Sequence, residues 1–149
     1  MSLLDKIKKN STIDQSSVLS KSKFFSEKDM IQTYVPMMNV ALSGSLEGGL
    51  TPGVTMFAGP SKHFKTAFSL LLAKSYLEKY EDAVLLFYDS EFGTPISYFD
   101  TFEIDKERVL HTPLTDIEQL KFDLMAQLTN LERGEKLIII RSEEHTSEL

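Results

Sequence analysis

Apolar residues along the chain fall into short compact runs separated by longer stretches in which they recur every three or four positions. "VTMFA" (54–58), "AVLLFY" (83–88) and "KLIII" (136–140) are such runs, and "RVLHT" (108–112) is a further strand-like stretch. Apolar runs without polar alternation suit parallel strands covered on both faces. Between them, "KTAFSLLLAKSYLEKY" (65–80) puts Phe68, Leu71, Leu72 and Tyr76 on one stripe and predicts a helix. A second helix is predicted in "TDIEQLKFDLMAQLTNLE" (115–132), with Ile117, Leu120, Leu124, Leu128 and Leu131 facing the core. Thr115 and Glu118 form its expected capping box, and Gly134 its stop. Strands alternating with helices predict an α/β fold with a parallel sheet and right-handed crossovers.

The first 33 residues break this pattern. They are rich in Lys and Ser, with apolar clusters in "LLDKI", "SVLSKSKFF" and "MIQTY". Leu3, Leu4 and Ile7 share one face of a short predicted helix with Ser2 as its cap. Residues 1–33 are too polar for a core of their own and read as an arm that packs elsewhere. The turn-rich "SGSLEGGLTPG" (43–53) then introduces the core, taken as 34–140.

The last nine residues also stand apart. "RSEEHTSEL" (141–149) is polar, follows "KLIII" abruptly, and matches the translation of a common sequencing adapter. It is expected to be non-native, the natural protein is expected to continue beyond Ile140, and the core is expected to be truncated after its third to fourth strand.

Composition narrows the function. A chain of 149 residues makes about one domain. No apolar run reaches the 18 or so residues of a membrane span, and "MSLLDKIKKNSTIDQ" lacks the apolar core of a signal peptide, so a cytoplasmic location is expected. With no cysteine and three scattered histidines, disulfides are excluded and a structural zinc site is disfavoured. A net charge of −6 gives no global attraction to nucleic acid and leaves only local basic surface for it.

"GPSKHFKT" (59–66) departs by one residue from the phosphate-binding pattern G-x-x-x-x-G-K-[ST], Phe64 standing at the second glycine. Three matching residues are a weak signal, but the stretch lies between a predicted strand and a predicted helix, where such a loop belongs. The backbone of Gly59, Pro60, Ser61, Lys62, His63 and Phe64 would curl around phosphate oxygens at a helix N-terminus. Lys65 would reach the β- and γ-phosphates and Thr66 would ligate Mg²⁺. Phe64 is compatible with this if it keeps a right-handed, helix-start backbone. Glu91 follows the run 83–88 at the carboxyl edge of the sheet, where open α/β folds bind ligands. It could activate a water; Asp89 could substitute for it, or both could merely cap the turn. Lys62, His63 and His111 are given no catalytic role.

Three stretches carry a family resemblance. "VPMMNVALSGSLEGGLTPGVTMFAGPSKHFKTAF", "LLFYDSEFGTP" and "DKERVLHTP…EQLKFDLMAQL…LERGEK" are similar to phage recombinases of the RecA family, over about Lys23 to Ile140. That group also carries Phe before the loop lysine. The resemblance implies a RecA-like P-loop ATPase core that uses ATP and Mg²⁺. It implies assembly as a homo-oligomeric filament on single-stranded DNA, with recombination accessory proteins, in a phage-infected cell. By position it implies Glu91 as the catalytic glutamate, Tyr98 as the ring that stacks on adenine, and the arm as a contact to a neighbouring protomer. The chain departs where the run 136–140 should reach a Walker B aspartate, since Arg141 and Ser142 follow; the later DNA-binding loops are expected to be missing, and the fragment inactive. A non-hydrolysing nucleotide-gated assembly module and a RecA-like helicase motor are the alternatives.

Overall fold

The structure, a computed structural model, describes residues 2–13, 16–21 and 29–142. Residues 22–25, the end of "SVLSKSKFF", and residues 143–149 of the expected adapter segment lie outside the described residues.

Three parallel strands form the centre: β1 (Val84–Asp89), β2 (Val109–Pro113) and β3 (Leu137–Ser142), in the order β2-β1-β3. Leu86 of β1 pairs with Leu110 on one side and Ile139 on the other. The expected α/β fold with a parallel sheet is present. β1 is apolar at successive positions because both of its faces are covered. Leu85 and Phe87 point into a core with Leu70, Ala73, Leu77, Phe99 and Ile140, while Leu86 and Tyr88 pack with Leu114 and Leu120 on the opposite side.

Helix α3 (Lys65–Lys79) covers the first face and α5 (Ile117–Asn130) the second. The face α3 turns to the sheet is Leu70, Ala73 and Leu77, whereas Phe68, placed on the core stripe by its spacing, is 41% exposed. The helix is apolar on more than one side, so periodicity alone could not select the face. Leu72 and Ser75 are buried too, and Ser75 faces residues 32–34. In α5 only Leu120 is fully buried, with Leu124 packed beside it; Ile117 and Leu128 remain more than half exposed. The N-cap of α5 is Asp116, whose carboxylate accepts the Glu118 N–H at 2.9 Å, rather than Thr115. The helix ends at Asn130, and Gly134 (φ 111°) serves the turn before β3 instead of the helix C-terminus.

Among the described residues the chain makes no strand at 54–58, contrary to the sequence reading. Val54 is wholly exposed and Met56 is 83% exposed. A parallel strand forms only with a neighbour for its backbone groups, and 54–58 pairs with neither β2 nor β3, the two edge strands of the sheet. β3, by contrast, runs through Arg141 and Ser142, past the predicted end of the strand.

The N-terminal helix α1 (Leu3–Lys9) carries the expected Ser2 cap, completed by Asp5 as a capping box, and buries none of its residues. Residues 29–34 are docked on the core. Ile31 pairs with Leu50 in an antiparallel bridge, and Lys79 and Tyr80 bind Asp29. Helix α2 (Pro36–Ser43) starts with proline at its first turn and stops at Gly44 in the left-handed region (φ 75°). Buried Asn39 holds this corner: its side chain accepts the Thr33 N–H and donates to the Thr33 and Leu46 carbonyls. A short helix α4 (Ile96–Thr101) follows β1 and inserts Phe99 edge-on against Phe87.

Candidate functional site

The loop 59–64 delivers the chain into the N-terminus of α3. A helix N-terminus has unpaired N–H groups and positive potential, and normally attracts acidic side chains. The first turn of α3 contains no acid; it begins with Lys65. That choice disfavours the isolated helix and suits a site awaiting an anion.

Phe64 is the residue before the helix and lies in the left-handed region, at φ 59° and ψ 17°. The right-handed backbone expected for it is therefore absent. The physical reason lies in the loop's curvature: Lys62 is also left-handed (φ 63°), while His63 between them is not. Alternation of this kind makes the backbone concavities that hold anions. The Phe64 ring is 71% exposed, so the strain is not offset by burial. Lys65 folds back and donates from Nζ to the Pro60 carbonyl at 2.9 Å, and His63 Nδ1 donates to the Ser61 carbonyl at 2.8 Å.

Across from the loop stands the turn after β1. A cavity of about 250 Å³ brings residues 62–67 together with Glu91, Gly93, Thr94 and Tyr98. Of the residues singled out in the sequence, Lys62, His63, Phe64, Lys65, Thr66, Glu91 and Tyr98 thus share one cavity. Gly59, Pro60 and Ser61 form the approach to it and do not line it. Glu91 is the one carboxylate among the lining residues, and Tyr98 on α4 is 41% exposed. Asp89 takes a different place. It is buried at the end of β1, where its Oδ1 accepts the N–H groups of Glu91 and Phe92, both at 3.0 Å. Gly93 and Thr94 were missed in the sequence; only their nearness to Glu91 could have suggested them.

Among the described residues no group of three or more His, Cys, Asp or Glu side chains is arranged to hold a metal ion. Of the cavity's lining residues, Thr66 at the start of α3 offers a hydroxyl and Glu91 a carboxylate, oxygen donors that could hold a hard cation only together with oxygens supplied by a ligand. A larger, more open hollow of about 510 Å³ runs along the middle of α3 beside residues 32–34. Its charges are already matched: Lys79 binds Asp29, and the Tyr34 hydroxyl donates to Glu78 at 2.9 Å, which raises the Tyr34 pKa. It offers no spare cation for a phosphate.

No protein-family model matches the chain. Over 137 residues it is 48% identical to the "Recombination and repair protein" of Enterobacteria phage T4, an alignment covering 92% of this chain and 35% of that protein. The chain therefore spans about a third of the length of the curated relative it matches. The matched portion includes most of the core described above. None of the described helices is long and apolar enough to cross a membrane.

Proposed function

We propose that the cavity at the start of α3 binds ATP with Mg²⁺, and that this core belongs to a recombination and repair protein of the RecA type. Such a protein would assemble as a filament on single-stranded DNA and hydrolyse ATP there. The observation that carries the reading is the meeting of Lys65, Thr66, Glu91 and Tyr98 at one cavity, although they are up to 33 positions apart in sequence. The name of the phage T4 relative supports the biological setting.

In this reading each group has a separate task. The Lys65 ammonium leaves the Pro60 carbonyl and pairs with phosphate oxygens, an exchange of a neutral acceptor for a charged one. N–H groups of the curved loop and the first turn of α3 bind further oxygens. Thr66 offers its hydroxyl to Mg²⁺, whose charge offsets that of the phosphates. The Tyr98 ring is exposed enough to stack on a base. Glu91 orients the attacking water and accepts its proton.

Titration of the chain with a fluorescent ATP analogue tests the binding half. Lys65→Ala is expected to weaken binding about tenfold or more, the usual worth of a charge-assisted contact. Unchanged affinity would remove the phosphate-loop assignment. Glu91→Gln in the full-length protein tests the chemical half: it should bind ATP normally and slow phosphate release about 10²–10⁴-fold, measured with single-stranded DNA present.

A further inference from the structure

The ends of all three strands converge on one carboxylate. Besides the N–H groups of Glu91 and Phe92, Asp89 Oδ1 accepts the Ser142 hydroxyl from β3 at 3.1 Å. Oδ2 lies 3.5 Å from Nε2 of His111 on β2, and the His111 ring stacks on Phe87 with centroids 5.8 Å apart. The Asp89 carbonyl in turn accepts the Leu114 N–H at 2.8 Å. Phe92, directly after Glu91, is left-handed at φ 52° and mostly exposed. A non-glycine residue keeps that conformation only where its surroundings impose it. Here the two N–H bonds to Asp89 do so, and they fix the direction in which Glu91 leaves the sheet.

We propose that Asp89 is a positioning residue for the nucleotide cavity: it clamps the turn 89–92 so that the Glu91 carboxylate faces the loop 62–66. The proposal rests on the ATP reading above. Asp89 does not line the cavity, so its action runs through Glu91. What the clamp needs is an acceptor oxygen at Oδ1, which asparagine retains and alanine lacks.

The test uses the chain with magnesium and a non-hydrolysable ATP analogue, reading the carboxyl-carbon resonance of Glu91 by NMR and amide hydrogen exchange at Glu91 and Phe92. In the unsubstituted chain and in Asp89→Asn, the Glu91 resonance should move when the analogue binds. In Asp89→Ala it should not, although Lys65-dependent affinity persists, and the two amides should exchange about tenfold faster. Asp89→Ser, whose shorter side chain reaches at most one of the amides, serves if the alanine variant does not fold, and should lose the response likewise. A full Glu91 response in Asp89→Ala or Asp89→Ser, or an equal loss in Asp89→Asn, overturns the proposal while leaving ATP binding intact. Failure of the unsubstituted chain to bind the analogue overturns the ATP reading and the proposal together.

Discussion

Arg108 and Ala83 are joined by two hydrogen bonds: Nε and Nη2 both donate to the Ala83 carbonyl, at 2.9 and 2.7 Å. The same guanidinium reaches the Tyr80 carbonyl at 2.6 Å and the Leu77 carbonyl at 3.1 Å. It therefore satisfies carbonyl groups at and beyond the C-terminal end of α3 and ties that end to the start of β2. Cations are favoured at helix C-termini, and a planar fork can bridge several carbonyls at once. Nothing local in the sequence announces this, since the partners lie 25 to 31 positions away.

Arg108→Ala should lower stability by about 2 kcal/mol, the scale of losing charge-assisted bonds to half-buried carbonyls. Arg108→Lys should recover only part of it, because an ammonium cannot reproduce the fork. Urea denaturation of the two variants measures both, and a lysine variant as stable as the parent would refute the geometric argument.

Phe64 gives a prediction of opposite sign. A left-handed backbone costs an L-residue about 1–2 kcal/mol. Glycine there removes the strain but enlarges the freedom of the unfolded chain, which returns about 0.5–1 kcal/mol. Phe64→Gly should thus raise stability by about 0.5–1 kcal/mol and leave nucleotide binding intact, since the ring is exposed. Phe64→Val should lose stability, as a β-branched side chain tolerates this region poorly. A glycine variant that is less stable would mean that the ring makes a contact worth more than the strain.

The sheet was legible in the sequence where strands pair within the chain. β1 and β3 appear as unbroken apolar runs because covered parallel strands have no polar face to interrupt them, whereas β2, an edge strand with Leu110 and His111 exposed, shows only as a strand-like stretch. The cavity was legible in part. Lys65 and Thr66 declare themselves by spacing and Glu91 by following a strand, but Asp89's turn clamp depends on bonds that are set only once the turn forms. The conformation of Phe64 was misjudged because residue type favours right-handed backbone, whereas loop closure imposes the other hand. The stretch 54–58 reads as a strand by composition, yet pairing is a property of neighbours and none lies beside it among the described residues.

That last difference can be measured. With Met56 mostly exposed, Met56→Lys should alter the stability of this chain by no more than about 0.5 kcal/mol. A lysine forced into a strand buried on both faces would cost several times that, through the lost apolar burial and the desolvated charge. A large fall in the denaturation midpoint would place 54–58 in the sheet after all.

Tyr88 links stability to pH. It is almost wholly buried on β1, and its hydroxyl donates to the Asp123 carboxylate on α5. Burial, and then the bond to Asp123, push the phenol's pKa well above its usual 10. Tyr80 is pushed up to about 12, chiefly by its bond to Asp29. In both cases the folded state holds the proton more tightly than the unfolded chain. Their stabilisation is complete below pH 10, and falls as pH rises from there through the folded values, because only the unfolded phenols ionise in that window. Tyr88→Phe removes one such group. It should cost about 1 kcal/mol at neutral pH for the lost bond, and its stability should decline less steeply above pH 10 than the parent's. Denaturation midpoints measured at intervals from pH 7 to about pH 11 give both slopes. Equal slopes in parent and variant would show that Tyr88 ionises without unfolding and that its bond to Asp123 does not hold the β1–α5 contact.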